Sequence, residues 1–195
     1  MTKSIGKWTL FGGWMLLTAC GLLAAGKKEK VRQEVAVMDT NLGRITFRFF
    51  AEESPKSVTT FKTIVRAGLF NGTLINKVLP GLLIQGGDTH PRQEPVEVSQ
   101  GPAPEVEKND LKHHAGTVSM AFKKGTTAGE NEFFICLQDV SYFDGKHNII
   151  GEVISGLKVV DAISNVPRNL KQFPLHQVRI QRISLEEQEF FREVR

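Results

Sequence analysis

The chain has 195 residues, 41% hydrophobic and 24% charged, which suits one globular domain with its own core and excludes a disordered or fibrous chain. Its 25 basic and 21 acidic residues leave a formal charge of +4, without a basic stripe interleaved with aromatics, so nucleic acid is not the expected partner. Two cysteines, Cys20 and Cys136, exclude a disulfide framework.

Residues 1–26 read as a targeting segment outside the fold. Trp8 to Gly26 is an uncharged run of 19 residues, preceded by Lys3 and Lys7 and followed by Lys27-Lys28-Glu29-Lys30. Three readings fit it. Leu17-Thr18-Ala19-Cys20 resembles the lipobox of bacterial lipoproteins, in which the cysteine is lipidated. The run is also just long enough for an uncleaved anchor, and Ala24-Ala25-Gly26 could be a cleavage site. The lipoprotein reading is preferred, with Cys20 as the lipidated residue at the extracytoplasmic face of a bacterial envelope.

Residues 27–33 read as a polar linker, 34–185 as the folded domain and 186–195 as a charged, frayed tail. Glu34–Asp39 and Arg44–Phe49 read as strands joined by a tight turn, with Ile45, Phe47 and Phe49 on one face. Ser54 suits a helix N-cap and Pro55 the first helical position. Val58, Phe61 and Val65 then recur at helical spacing up to Gly68. Leu74–Val78 and Leu82–Gln85 are the next strands. Thr89–Gly116 reads as a long surface loop. Thr117–Phe122, Glu132–Leu137 and Asn148–Ile154 are further strands, Leu157–Ile163 a short helix, and Gln177–Leu185 a closing strand. Many short strands with two helices predict a closed β-barrel with helical caps.

The run Pro80-Gly81-Leu82-Leu83-Ile84-Gln85-Gly86-Gly87-Asp88 carries the first functional hint. An amide among leucines needs partners for its donors and acceptor, and a strand that keeps one is suited to holding another amide, such as a peptide. His113-His114 lacks metal-ligand spacing and reads as an exposed pair. Asp144-Gly145 reads as a turn, and Cys136 as a buried inert thiol.

That run with Val78-Leu79 before it, together with Gly116-Thr117-Val118-Ser119-Met120-Ala121, Glu132-Phe133-Phe134-Ile135-Cys136 and Phe143-Asp144-Gly145-Lys146-His147, resembles the four signature blocks of the cyclophilin-type peptidyl-prolyl cis-trans isomerases in order and spacing. The resemblance covers about residues 34–185. It implies a mainly β fold: a closed eight-stranded antiparallel barrel capped by two α-helices. It also implies rotation of X–Pro peptide bonds in polypeptides, with no metal or cofactor; a monomer is expected, although the residues do not fix the oligomeric state. Carried over by position, Lys77 stands where the family has its catalytic Arg. Gln85 matches the amide that grips the substrate backbone, Phe134 the floor of the proline pocket and His147 its rim. Phe143 matches an apolar wall, and Leu82 and Leu83 replace a Phe and a Met. Ala121 and Phe122 match the groove-lining segment, and Tyr142 a rim Trp or Phe. Glu132 replaces a Gln two residues before the pocket Phe.

Two departures shape the expected chemistry. Lys offers a hydrated point charge where Arg offers a planar fork, and Glu132, if close, pairs with Lys77. The pair then either orients a catalytic ammonium or is a structural ion pair. In the second case the chain is a proline-peptide-binding or chaperone module with weak or no turnover. A third possibility is a scaffold in an envelope complex that uses the 89–116 loop.

Overall fold

The computed structural model of the chain describes residues 28–88, 106–121 and 132–193. Among these residues eight antiparallel strands close into a barrel in the order β1-β2-β7-β5-β6-β4-β3-β8. The strands are β1 (Lys28–Thr40), β2 (Gly43–Phe49), β3 (Leu74–Leu79), β4 (Leu83–Gly86), β5 (Thr117–Met120), β6 (Phe133–Cys136), β7 (Ile149–Ser155) and β8 (Val178–Glu193). Helix α1 (Pro55–Arg66) follows β2, and α2 (Leu157–Ser164) follows β7.

Strand alternation sorts the side chains. Ile45, Phe47 and Phe49 lie on one buried face, as their spacing predicts. They join Met38, Phe61, Phe70, Phe133 and Ile135 in the barrel core. Phe61 stands edge-on to Phe47 and Phe133, with ring centroids 5.6 and 5.7 Å apart. The intervening residues of the same strands, Phe134 and Cys136 in β6 and Leu83 in β4, form a second apolar cluster on the other side of the wall. The turn after β4 needs glycine. A Cβ on Gly86 would lie 2.6 Å from the Leu74 carbonyl oxygen, and Gly87 has φ +89° with Phe70 and Phe133 2.9 Å from where a Cβ would be.

The chain ends differ from expectation. Residues 28–33, expected as a linker, continue β1, and the expected frayed tail continues β8 to Glu193. The two extensions pair from Lys28 opposite Glu193 through Val35 opposite Glu186. Val31 faces Phe190 across this ribbon, and Lys30 meets Glu189 at 2.6 Å. Glu189 also meets Arg32, directly opposite it, at 3.5 Å, so opposite charges across and diagonally between the strands support a segment whose composition reads as a linker.

The N-terminus of α1 also departs from expectation. Ser54 precedes the helix, but its side chain makes no capping bond. The Glu107 carboxylate accepts from the backbone N–H groups of Lys56 and Ser57 at 3.0 and 2.9 Å instead. Asn109 Nδ2 donates to Ser54 Oγ at 3.2 Å. A negative charge suits the exposed N–H groups at this helix end. The later part of the expected surface loop, residues 106–116, is therefore bound into the fold.

Candidate active site

The outer wall of β3, β4, β6 and β5 aligns the predicted residues. Register pairs Lys77 with Gln85, Gln85 with Phe134, and Phe134 with Ser119. Directly opposed residues in antiparallel strands share a face, so these four form one row outside the barrel. The neighbouring row is Leu79, Leu83 and Cys136. Leu83, Phe134, Ala121 and Cys136 are buried together, with Leu82, Val140 and Phe143 packed against them. Burial, aided by the charge of Asp144, pushes the Cys136 thiol up to about 12, so it is a packing residue. Phe122 and Cys20 lie outside the described residues.

Phe134 is the centre of a ring cluster. Phe143 and His147 stand edge-on to it, with centroids 5.3 and 5.2 Å away, and to each other at 5.1 Å. The His113 ring stacks on Phe134 at 5.8 Å with planes 17° apart. Tyr142 is 73% exposed at the rim, with Lys146 Nζ 3.3 Å from its ring centroid. Burial holds His147 below the ordinary histidine value; a Met120 carbonyl opposes this, and the charges of His113 and Lys146 add to it.

The expectation of an exposed histidine pair is half wrong. His114 is exposed and lies 3.2 Å from Asp139, whereas His113 is fully buried. Asp144 Oδ1 accepts from both the backbone N–H and Nδ1 of His113 at 2.9 Å, and His113 Nε2 lies 3.1 Å from Ser119 Oγ. Burial holds His113 below the usual histidine value against the opposing effect of Asp144. For Asp144, burial pushes upward, but the His113 N–H groups and Lys112 outweigh it and hold the carboxyl below its usual value. Ser119 Oγ donates to the Asn148 carbonyl at 2.9 Å, and the same carbonyl accepts from the Met120 N–H. The expected Asp144 turn thus has a further job. It ties the segment carrying Phe143 and His147 to the wall beneath Phe134. Partners 31 residues apart leave no local sequence signal.

The expected Lys77–Glu132 ion pair is absent among the described residues. Glu132 accepts from Gln85 Nε2 at 2.6 Å and, by a short bond, from Asn76 Nδ2. A β-bulge between Ile75 and Lys77 adds Asn76 to the strand at this point. Two neutral amides satisfy the carboxylate without desolvating an ammonium, and Lys77 stays exposed. The Ala121 N–H donates to the Glu132 carbonyl at 2.8 Å, which fixes the start of β6 against the end of β5. Two grooves, of about 430 and 640 Å³, run along β8 and include none of these residues.

A closed antiparallel barrel with two helices and an aromatic cluster centred on Phe134 on its outer wall defines a barrel of the cyclophilin kind. Residues 35–185 match the family model described as cyclophilin type peptidyl-prolyl cis-trans isomerase/CLD. The chain is 32% identical over 151 residues to peptidyl-prolyl cis-trans isomerase-like 1 of Emericella nidulans, covering 76% of this chain and 93% of that protein. It is 32% identical over 143 residues to a peptidyl-prolyl cis-trans isomerase of Helicobacter pylori, covering 70% and 84% respectively. A cyclophilin type peptidyl-prolyl cis-trans isomerase of Cryptosporidium parvum, crystallised in the presence of the dipeptide Ala-Pro, superposes with a TM-score of 0.69 at 26% identity. That match covers 78% of this chain and 98% of the other. The chain belongs to the cyclophilin-type peptidyl-prolyl cis-trans isomerases, enzymes that rotate X–Pro peptide bonds.

Proposed function

We propose that the outer wall around Phe134 is where this chain twists the X–Pro bond. The planar amide is protected by a barrier of about 18–20 kcal/mol because the nitrogen lone pair is conjugated with the carbonyl. At the twisted transition state that lone pair is localised on nitrogen, so a nearby donor favours the twisted form over the planar one. Lys77 supplies that donor. Phe134, with Leu83, Phe143, Leu82 and Ala121, takes the proline ring, Gln85 contacts the flanking backbone and His147 forms the rim. The observation that carries the reading is the register row in which Lys77, Gln85 and Phe134 share one face. No step moves a proton or needs a metal.

The test is a protease-coupled assay on an X–Pro peptide. Lys77→Ala is expected to lower kcat/KM by about 10- to 100-fold, the effect of losing one transition-state donor, while Lys77→Arg raises it. A second reading, a proline-peptide-binding module with little turnover, draws on the exposure of Lys77, which leaves its ammonium hydrated. Peptide binding that persists with no acceleration in wild type or in either variant would establish that reading.

We also infer that residues 1–26 hold the barrel at the extracytoplasmic face of a bacterial membrane through lipidated Cys20. Leu17-Thr18-Ala19-Cys20 at the end of an uncharged stretch supports this. Among the described residues no helix is long and apolar enough to cross a membrane, and the segment lies outside them. Blocking lipoprotein maturation should shift the mass of the N-terminal peptide; an unchanged mass rules out Cys20 as the anchor.

A further inference from the structure

Glu132 dictates which end of the Gln85 amide a peptide meets. A carboxylate only accepts, so an amide facing it must present its NH2 group. The 2.6 Å contact from Gln85 Nε2 to Glu132 Oε2 therefore excludes the flipped orientation, which would set oxygen against oxygen. Gln85 is half-buried, and among the described residues nothing donates to its Oε1. Asn76 is oriented by the same carboxylate, but its Oδ1 is buried without a partner and out of reach of a ligand. In the row of Lys77, Gln85 and Phe134, the side-chain groups left for a peptide are thus the Lys77 ammonium, the unpartnered Gln85 Oε1 with the second N–H of the same amide, and an aromatic floor.

We propose that Gln85 binds substrate as a hydrogen-bond acceptor, through Oε1, and that Glu132 is the positioning residue that imposes this polarity. The ligand it selects is a peptide that offers a backbone N–H beside the proline. Proline has no N–H of its own, so the donor is the residue before it or the residue after it. Peptides alkylated on that nitrogen are selected against. A glutamine at position 132 could turn its own amide over and leave Gln85 free to present either end. The proposal rests on the outer wall being the peptide site.

The experiment uses the full chain and three peptides: a parent X–Pro–Y peptide, and two analogues in which the N–H of X or of Y is replaced by an ester oxygen. Dissociation constants are measured by titration and isomerisation by the coupled assay, for wild type and for Glu132→Gln. In wild type, one ester analogue should bind about fivefold more weakly than the parent, the effect of one ordinary hydrogen bond. Glu132→Gln should reduce that penalty to less than twofold, with kcat for the parent changing less than KM. Equal binding of all three peptides by wild type overturns the proposal. So does a penalty of the same size in Glu132→Gln, because the carboxylate would then not set the polarity. A parent peptide that binds but is not isomerised counts against the catalytic reading alone, and the ester comparison still decides this one.

Discussion

The two halves of the site are built on opposite principles. The ring floor of Phe134, Phe143, His147 and His113 is held by mutual packing and by a buried chain of hydrogen bonds running from Asp144 through His113 to Ser119. The polar edge of Asn76, Lys77, Gln85 and Glu132 is organised by one carboxylate, and its cation stands in solvent. A recess for a rigid ring benefits from a rigid floor. An edge that must follow an amide through a half-turn benefits from a flexible donor. Stability and chemistry should therefore be separable by mutation.

The largest effect should come from Phe134→Ala, which empties the floor. It should cost about 3 kcal/mol or more in stability as well as activity, read by denaturant unfolding beside the coupled assay. A fully stable but inactive Phe134→Ala protein would break the comparison, because the floor would then be functional without being structural. Next is His113→Asn, which removes a buried ring and frees Asp144 and Ser119. A loss of about 1–3 kcal/mol is expected from the unpaired groups, with KM rising more than kcat falls.

The pH dependence sharpens the same contrast. Burial keeps His113 and His147 below the ordinary value of 6.5. The unfolded chain therefore binds more protons than the folded one as pH falls through about 6.5 towards the folded values. Their contribution to stability is complete above that range and is lost on acidification. His113→Asn should flatten this decline in unfolding midpoints between neutral and mildly acid pH. The smallest effect on stability should come from Lys77→Ala. Its exposed ammonium makes no ion pair with Glu132, so thermal unfolding should shift by less than about 0.5 kcal/mol even as turnover falls.

Much of this was legible in the residues, for reasons that differ by element. Alternation of Ile45, Phe47 and Phe49 is a local consequence of strand geometry, so the buried face of that strand could be read directly, while the closed eight-stranded barrel came from the resemblance. The positions of Gln85, Phe134 and His147 came from the signature blocks, and that of Lys77 from the family resemblance just before the first of them. What escaped depends on contacts between distant segments. Glu107 caps a helix about 50 residues earlier, Asp144 holds His113 from 31 residues away, and Asn76 takes the carboxylate expected for Lys77 because a bulge adds a residue to β3. The β1–β8 extension was hidden by composition, since a charged ribbon and a charged linker look alike one strand at a time.

The pairing of Lys28 with Glu193 sets the two ends of the described chain side by side. Anything joined before the first strand or after the last departs from the same corner of the barrel. A pull between those ends would unzip the ribbon one residue pair after another, and the outermost pairs, which bear the load first, belong to β1 and β8 and not to the wall of β3, β4, β6 and β5. The ribbon would thus yield before the barrel does.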